Sequence, residues 1–257
     1  MIITLLTDFG LKDNYVGVMK GVILRINPSI SIIDISHSIS PHNIKEAAFV
    51  LLNSYEYFPS KTVHVVVVDP GVGGRRKPIV VKTKKYFFVG PDNGVFTHIY
   101  ENNAKVYEIK NSAHFLAEPS STFHARDIFA PVAAHISKGV DVSQIGKKVS
   151  SYERFEIEKP EISEDKITGK IVYVDRFGNL VTNIPKEVIT KKLSTILIKD
   201  EVIDKINDSY DESKKGTLLA IIGSTGNLEI SVNQGSAKNF LNITEENLTN
   251  IKIYVVI

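Results

Sequence analysis

A carboxylate stands at the end of an apolar run, and two arginines follow it after a glycine-rich turn. Residues 64–76 read HVVVVDPGVGGRR, with the carboxylate at Asp69 and the guanidinium groups at Arg75 and Arg76. Ligands of open α/β sheets bind beyond the carboxyl ends of the strands, and a nearby arginine can keep an aspartate ionised and oriented. A solvated turn without function uses the same residue types, so this segment alone leaves both interpretations open.

A histidine within a polar run is the second candidate for chemistry. Residues 121–127 read STFHARD, and His124 lies just before a helix that we predict for residues 126–137. The positive end of a helix dipole disfavours an imidazolium, which keeps a neutral base available near pH 7. Helix capping also requires polar residues at this place. Taken alone, His124 is explained better by capping than by catalysis.

Other polar residues gather in turns. Asp8 follows the first predicted strand, and its two acceptor oxygens match the vicinal hydroxyls of a ribose. A turn or helix cap explains a lone aspartate equally well. In the second part of the chain, residues 175–179, 223–227 and 233–237 are rich in Gly and Asn, which suits hairpin turns. The functional alternative is a polar rim that recognises an amino acid or a nucleobase.

Composition excludes several classes of site. The 257 residues contain no cysteine, which removes disulfides, zinc–thiolate sites and cysteine nucleophiles and fits a reducing compartment. The net charge of +2 gives no electrostatic case for nucleic acid or a membrane surface. No HExxH or GxSxG pattern occurs, so we predict neither a metal site nor a serine triad. The N-terminus reads as a strand rather than a signal peptide, and we expect a cytoplasmic protein.

The elements that must position these residues alternate between strands and helices in the first part of the chain. Apolar runs predict strands, and apolar residues at helical spacing predict the segments between them as helices. Four consecutive valines indicate a strand buried on both faces, as in a parallel sheet. This rhythm predicts an α/β fold with a mostly parallel sheet flanked by helices. The strands are predicted at residues 2–6, 30–35 and 65–68, with a hairpin at 79–81 and 86–89.

The second part has a different pattern. We expect residues 1–155 to form the α/β domain, residues 156–166 a charged linker, and residues 167–257 a smaller antiparallel β-barrel. Short strand-like runs separated by turn residues support the barrel. These runs are residues 169–174, 180–184, 218–222, 228–232 and 251–257.

Taken together, six segments resemble one family. They are residues 7–10, 69–73, 91–94, 122–127, 175–179 and 233–237, and they occur in the same order from the N-terminus to the C-terminus. The chain is similar to the S-adenosyl-L-methionine (SAM) hydroxide adenosyltransferases, which are the hydrolytic relatives of the fluorinase and the chlorinase. No one of these motifs is decisive, but six in register are specific.

The resemblance implies an enzyme that converts SAM and water into adenosine and L-methionine without a cofactor. It also implies a homotrimer in which the ligand lies between the N-terminal domain of one subunit and the C-terminal domain of the next. The implied catalytic residues are Asp69, Arg76 and His124, and Arg75 remains an alternative to Arg76. The implied substrate-binding residues are Asp8, Asn93, Asp175, Phe177, Asn179, Ser224, Asn233 and Ala237.

The reaction that the resemblance implies needs little acid catalysis, because the sulfonium leaves as a neutral thioether. We expect Asp69 to orient a water, Arg76 to favour negative charge on it, and His124 to accept its proton, although the sequence does not decide which group takes the proton. His124 favours water over halide, since the halogenating relatives have a tyrosine there. Ala125 departs from the glycine usual in the hydrolases. The alternatives are a chlorinase-like halide adenosyltransferase and a non-catalytic protein that binds adenosine or SAM.

Overall fold

The computed structural model describes residues 1–100, 103–189, 195–244 and 246–256. The chain divides into two compact units, Met1–Phe155 and Glu156–Ile257. We call them unit 1 and unit 2. Each has its own apolar core.

Seven strands form one sheet in the described part of unit 1. They are β1 (Ile2–Thr7), β2 (Ser31–Ser36), β3 (Val63–Val67), β4 (Pro78–Lys82), β5 (Phe87–Pro91), β6 (Lys105–Ile109) and β7 (Gly146–Val149), in the spatial order β2-β1-β3-β5-β4-β6-β7. The strands β2, β1, β3 and β5 are parallel, and β4, β6 and β7 add antiparallel pairs. The expected α/β class is therefore confirmed, and so is the hairpin of β4 and β5.

The valine strand β3 lies in the middle of the parallel half and is buried along its whole length. Side chains alternate between the two faces of a strand. Val65 and Val67 accordingly pack into one core, while Val66 and Val68 pack into a second on the opposite face. The register that β3 keeps with β1 and β5 sets the point at which Asp69 leaves the sheet.

Helices cover both faces of the sheet. The longer ones are α1 (Tyr15–Ile26) and α2 (Ile44–Leu52), and α3 (Ala130–Ser137) is followed by the short α4 (Val142–Ile145). The helix predicted for residues 126–137 differs in its first turn, which is a π-helix at Ala125–Phe129. Proline cannot donate a backbone hydrogen bond, so Pro131 leaves the carbonyl of Asp127 free for the backbone N–H of Leu116, at 2.9 Å.

Unit 2 is a curled sheet of short strands. They are β8 (Glu161–Ile162), β9 (Lys166–Val174), β10 (Leu180–Pro185), β11 (Thr195–Ile198), β12 (Glu201–Ile203), β13 (Ile206–Asn207), β14 (Leu218–Ile222), β15 (Asn227–Val232) and β16 (Lys252–Val256). The spatial order is β12-β11-β16-β9-β10-β15-β14-β13, with β8 paired to β9. All these pairs are antiparallel except β13 with β14, and β12 lies against β14, so the sheet is a nearly closed barrel.

The five strands predicted for unit 2 are present, with ends shifted by up to three residues. Ile257, at the end of the last prediction, lies outside the described residues. The strands β8, β11, β12 and β13 were not predicted, and β8 falls within the segment expected as a linker. A single short α-helix, α5 (Ala237–Phe240), follows β15 in the described part of unit 2.

Candidate active site

Asp69 and Arg76 form a tight ion pair at the carboxyl end of β3. The Nε atom of Arg76 lies 3.0 Å from both carboxylate oxygens of Asp69, and its Nη2 atom lies 2.5 Å from Oδ2. The exposed fraction is 5% for the side chain of Asp69 and 9% for that of Arg76. Arg75 is exposed. The structure therefore identifies Arg76 as the partner of Asp69, and such a two-nitrogen contact fixes the carboxylate in orientation as well as in charge.

His124 extends this pair to a chain of three groups. The Nη2 atom of Arg76 lies 2.7 Å from Nδ1 of His124. A guanidinium can only donate hydrogen bonds, so Nδ1 must carry the lone pair and the neutral ring carries its proton on Nε2. Burial, and then the charge of Arg76, lower the pKa of His124, with Asp69 and Asp127 opposing the shift. His124 is thus neutral near pH 7 and offers an Nε2–H donor.

A glycine allows the two segments that carry these groups to meet. Gly73 has a φ of +74°, and a Cβ atom on it would lie 2.1 Å from the carbonyl oxygen of Ser121. Any other residue would push the loop of Asp69 and Arg76 away from the segment that leads to His124. The π-helix adds a further contact, since the guanidinium of Arg76 lies over the ring of Phe129 at 5.4 Å. These contacts hold the Asp69–Arg76–His124 chain together.

Asp69 and His124, the two ends of this chain of three groups, line a cleft of about 420 Å³ in unit 1. Three rings form an aromatic wall in it, with centroid separations of 5.5 Å between Phe9 and Tyr15, 5.1 Å between Tyr15 and Phe123, and 6.0 Å between Phe9 and Phe123. An apolar cleft with a few convergent polar groups is the usual form of a small-molecule site. The lining residues are Phe9, Tyr15, Val67, Asp69, Val72, Ser120, Thr122, Phe123, His124, Ala125 and Arg126.

Arg126 and Asp127 stabilise the segment that carries His124. The buried carboxylate of Asp127 accepts from Nε of Arg126 at 2.6 Å and from the backbone N–H of Ser120 at 2.8 Å. The guanidinium of Arg126 also lies 5.1 Å from the ring centroid of Phe123. Neither this pair nor the aromatic wall was singled out as functional from the sequence, although the STFHARD run contains both residues of the pair.

Two of the predicted binding residues of unit 1 make defined backbone contacts. The β1–β3 register pairs Thr7 with Val67, so Asp8 leaves the sheet at the same edge as Asp69. The Oδ2 atom of Asp8 accepts from the backbone N–H of His42 at 2.9 Å. Asn93 donates from Nδ2 to the carbonyl oxygen of Val68 at 2.8 Å. Its amide thus holds the residue that precedes Asp69.

The predicted residues at the start of unit 2 bond to one another within a single turn. Asp175 accepts from the backbone N–H of Phe177 at 2.9 Å, and from the backbone and the side chain of Asn179 at 2.8 and 2.9 Å. Phe177 stands at the tip of this turn with 74% of its surface exposed. The turn therefore has a fixed shape and presents one aromatic ring to solvent.

The segment 233–237 packs against that turn. Gly178 has a φ of +83°, and a Cβ atom on it would lie 2.0 Å from the hydroxyl oxygen of Ser236. Ala237 is fully buried at the start of α5, and Asn233 donates from Nδ2 to the carbonyl oxygen of Ser213 at 2.7 Å. Ser224 is exposed in the separate turn between β14 and β15. The structure thus brings residues 175–179 and 236–237 together and leaves Ser224 in its own turn.

The described residues contain no group of three or more His, Asp or Glu side chains arranged to hold a metal ion. Within the same residues, no helix is both long and apolar enough to cross a membrane.

Comparisons with known proteins agree with one another. The model of the SAM hydroxide adenosyltransferase N-terminal domain matches residues 3–146, and that of the C-terminal domain matches residues 169–249. The (R)-S-adenosyl-L-methionine hydrolase of Methanocaldococcus jannaschii is 42% identical over 94% of this chain and 92% of its own length. The fluorinase of an Actinoplanes strain is 28% identical over 74% of each chain. A crystal structure of an uncharacterized conserved protein from Thermotoga maritima superposes with a TM-score of 0.90 over 99% of each chain, at 40% identity.

Proposed function

Because this chain belongs to the SAM hydroxide adenosyltransferase family, we infer that it is an enzyme that hydrolyses SAM to adenosine and L-methionine. The observation that carries the mechanism is the hydrogen-bonded chain of Asp69, Arg76 and His124 beside the cleft. Asp69 supplies a carboxylate that can accept a hydrogen bond from a water, and His124 supplies a neutral N–H that can donate one to it. Together the two groups can hold a single water in position for attack.

The reaction is a displacement at C5′ of the ribose. The water oxygen forms a bond to C5′, the bond between C5′ and sulfur breaks, and its electron pair returns to sulfur. Methionine then leaves as a neutral thioether, adenosine gains the oxygen, and one proton is released. No acid is needed for the leaving group, so the demand on the protein is to place the water in line, which can lower a barrier by about 7–11 kcal/mol.

Each group of the chain has a separate task in this proposal. Asp69 is the carboxylate that lines the cleft, and it accepts a hydrogen bond from the water and then its proton. His124 donates from Nε2 to the same oxygen and stabilises negative charge on it. Arg76 fixes both partners. This differs from the expectation that His124 takes the proton, because a neutral ring whose Nδ1 accepts from Arg76 has no second lone pair to offer.

The decisive experiment follows the oxygen. Purified protein is incubated with SAM in oxygen-18 water, with and without chloride, and the products are identified by mass spectrometry. Hydrolysis predicts adenosine labelled at the 5′-oxygen, together with methionine, at a rate that chloride does not change. Chloro-adenosine would instead support a halide adenosyltransferase, and binding of adenosine without turnover would support a non-catalytic protein.

The relatives named as hydrolases are named for (R)-SAM, the epimer that differs from the common form only at sulfur. We propose the same preference here. The water attacks in line with the C5′–sulfur bond, so the reaction depends on the direction of that bond. When the adenosine and methionine parts are held at fixed places, the configuration at sulfur determines this direction. Turnover of separated (R)- and (S)-SAM, followed by liquid chromatography, tests this; equal rates would contradict it.

We also propose that the predicted residues of unit 2 bind substrate and that the active form is a homotrimer with sites shared between subunits. The family resemblance supports this, and every residue that lines the cleft belongs to unit 1. Light scattering coupled to size exclusion measures the assembly. At SAM concentrations far below KM, Asp69→Ala and Phe177→Ala chains that are unfolded and refolded together should be more active than either variant alone if subunits share sites, because some sites then combine an intact Asp69 with an intact Phe177.

A further inference from the structure

One turn is hydrogen-bonded to both ends of the loop that carries Asp69 and Arg76. It follows β5 and includes Asp92 and Asn93. The side-chain amide of Asn93 donates to the carbonyl oxygen of Val68 at 2.8 Å, and the backbone N–H of Asp92 donates to the carbonyl oxygen of Lys77 at 2.8 Å. Val68 directly precedes Asp69 and Lys77 directly follows Arg76, so the turn fixes the two ends of the loop.

The orientation of the Asn93 amide is itself determined. Its Oδ1 atom accepts from the backbone N–H of Val95 at 3.2 Å, which leaves the Nδ2 atom facing Val68. Both polar atoms of the side chain are therefore bonded to the backbone, Nδ2 to Val68 and Oδ1 to Val95. The carbonyl that the side chain satisfies belongs to a fully buried residue, and a buried carbonyl left without a donor destabilises the fold.

The same turn also holds the last residues of unit 1. The carboxylate of Asp92 accepts from the backbone N–H of Glu153 at 2.8 Å. The hydroxyl of Thr97 accepts from the backbone N–H of Phe155 at 3.2 Å and donates to the carbonyl oxygen of Gly94 at 2.6 Å. The turn is therefore supported from both sides, and it is a rigid base for Asn93.

We propose that Asn93 is a positioning residue for Asp69 and not a ligand of SAM. Through the carbonyl of Val68 it sets where the Asp69 carboxylate leaves the strand, and with it the distance from Asp69 to the attacking water. This proposal rests on the proposed function and replaces the binding role that the family resemblance suggests for Asn93.

The test compares Asn93→Ala with a matched control, Asn111→Ala. Asn111 makes the same pair of bonds: its Nδ2 donates to the carbonyl oxygen of Gln144 at 2.8 Å, and its Oδ1 accepts from the backbone N–H of Ala113 at 3.1 Å. It follows β6, which is three strands away from β3 in the sheet. Each variant is assayed for kcat, for KM with SAM, for the dissociation constant of adenosine, and for Tm.

Asn93→Ala should lower kcat about 10-to-100-fold, as expected for a small misplacement of a catalytic group, with KM and adenosine binding within about twofold of wild type. Asn111→Ala should lower Tm and leave kcat unchanged. A rise in KM and weaker adenosine binding at unchanged kcat would overturn the proposal in favour of a ligand role. An equal loss of kcat in Asn111→Ala would overturn it in favour of general destabilisation.

If Asn93→Ala does not fold, Asn93→Ser retains a small donor and is assayed in its place, with Asn111→Ser as its control. The wild-type oxygen-18 assay separates the two proposals. Without wild-type turnover the proposed function fails, whereas turnover by wild type together with an unaffected kcat in the Asn93 variant refutes only the positioning role.

Discussion

The predicted site residues of unit 1 make hydrogen bonds between distant parts of the chain, while Asp175, Phe177 and Asn179 of unit 2 bond to one another within a single turn. Arg76 and His124 are 48 residues apart in sequence and meet at 2.7 Å. Asp175 and Asn179 are four residues apart and bond to each other. A long-range contact between ionisable groups fixes the mutual position of reacting atoms, whereas a local one fixes only the shape of a turn.

Burial and charge show the same contrast. The side chains of Asp69 and Arg76 are almost entirely buried, whereas Phe177 is mostly exposed. All seven histidines of the chain also lie in residues 1–155. We therefore expect substitutions in the unit 1 site to change kcat and substitutions in the unit 2 turns to change KM. Three experiments test this division, and a fourth concerns the stability of the unit 1 core in acid.

The largest effect is expected for Asp69→Asn, which keeps the shape of the side chain and removes its charge. Turnover should fall about 10³-fold, as when a preorganised electrostatic group is lost, and Tm should fall because Arg76 remains nearly buried without its partner. Rapid-quench turnover and thermal melting measure the two effects. Glu212→Gln, which breaks an exposed ion pair with Lys205, is the control and should leave kcat unchanged. Near-normal turnover in Asp69→Asn would remove Asp69 from the mechanism.

The next largest effect is expected at His124, where two variants distinguish a hydrogen-bond donor to the water from a group that accepts its proton. Glutamine places an N–H₂ group close to where the Nε2–H of histidine lies, and alanine places nothing there. If His124 donates, His124→Ala should lower kcat about 10²-fold, and His124→Gln should recover much of that loss. Steady-state kinetics at several pH values provide the measurement. Equal losses in both variants would favour the proton-accepting role expected from the sequence.

A smaller effect, on KM rather than on kcat, is expected for Phe177→Ala in unit 2. Loss of the aromatic contact with the ligand that we propose for Phe177 should raise KM about tenfold and leave kcat within about twofold, since aromatic contacts contribute on the order of 1 kcal/mol. Tyr57→Ala removes an aromatic ring that is 86% exposed on unit 1 and serves as the control. A fall in kcat without a change in KM would place Phe177 among the groups that act on the reacting atoms.

The fourth experiment concerns stability in acid. Burial lowers the pKa of His64 in β3 to about 3, whereas in the unfolded chain it is about 6.5. The unfolded state therefore binds a proton that the folded state does not, and stability that is present above pH 6.5 is lost as the pH falls, by up to about 1.4 kcal/mol per pH unit. Thermal melts between pH 7 and pH 4 should show this slope in wild type and a shallower one in His64→Gln. Equal slopes would assign the acid sensitivity to other groups.

The sequence was sufficient where a pattern has one physical solution. Four valines in a row have to be buried on both faces, and this placed Asp69 at the end of β3. The choice between Arg75 and Arg76 could not be made, because it depends on the path of the glycine-rich loop. The motif containing Asn93 was visible, but its bond to Val68 joins residues 25 apart. The π-helix was not predicted, because the apolar residues that follow it keep an ordinary helical spacing and its difference lies in the backbone bonds near Pro131. The strands β11 to β13 were missed because they have only two to four residues each.

The middle position of Arg76 has a kinetic consequence. A guanidinium does not release its proton in proteins, so nothing can be relayed from His124 to Asp69 through it. The three groups therefore fix one another's positions but transfer no proton among themselves. In the proposed mechanism the chemical step transfers a single proton, which moves from the attacking water to Asp69. In mixtures of light and heavy water, the rate of that step should therefore vary as a straight line with the deuterium fraction.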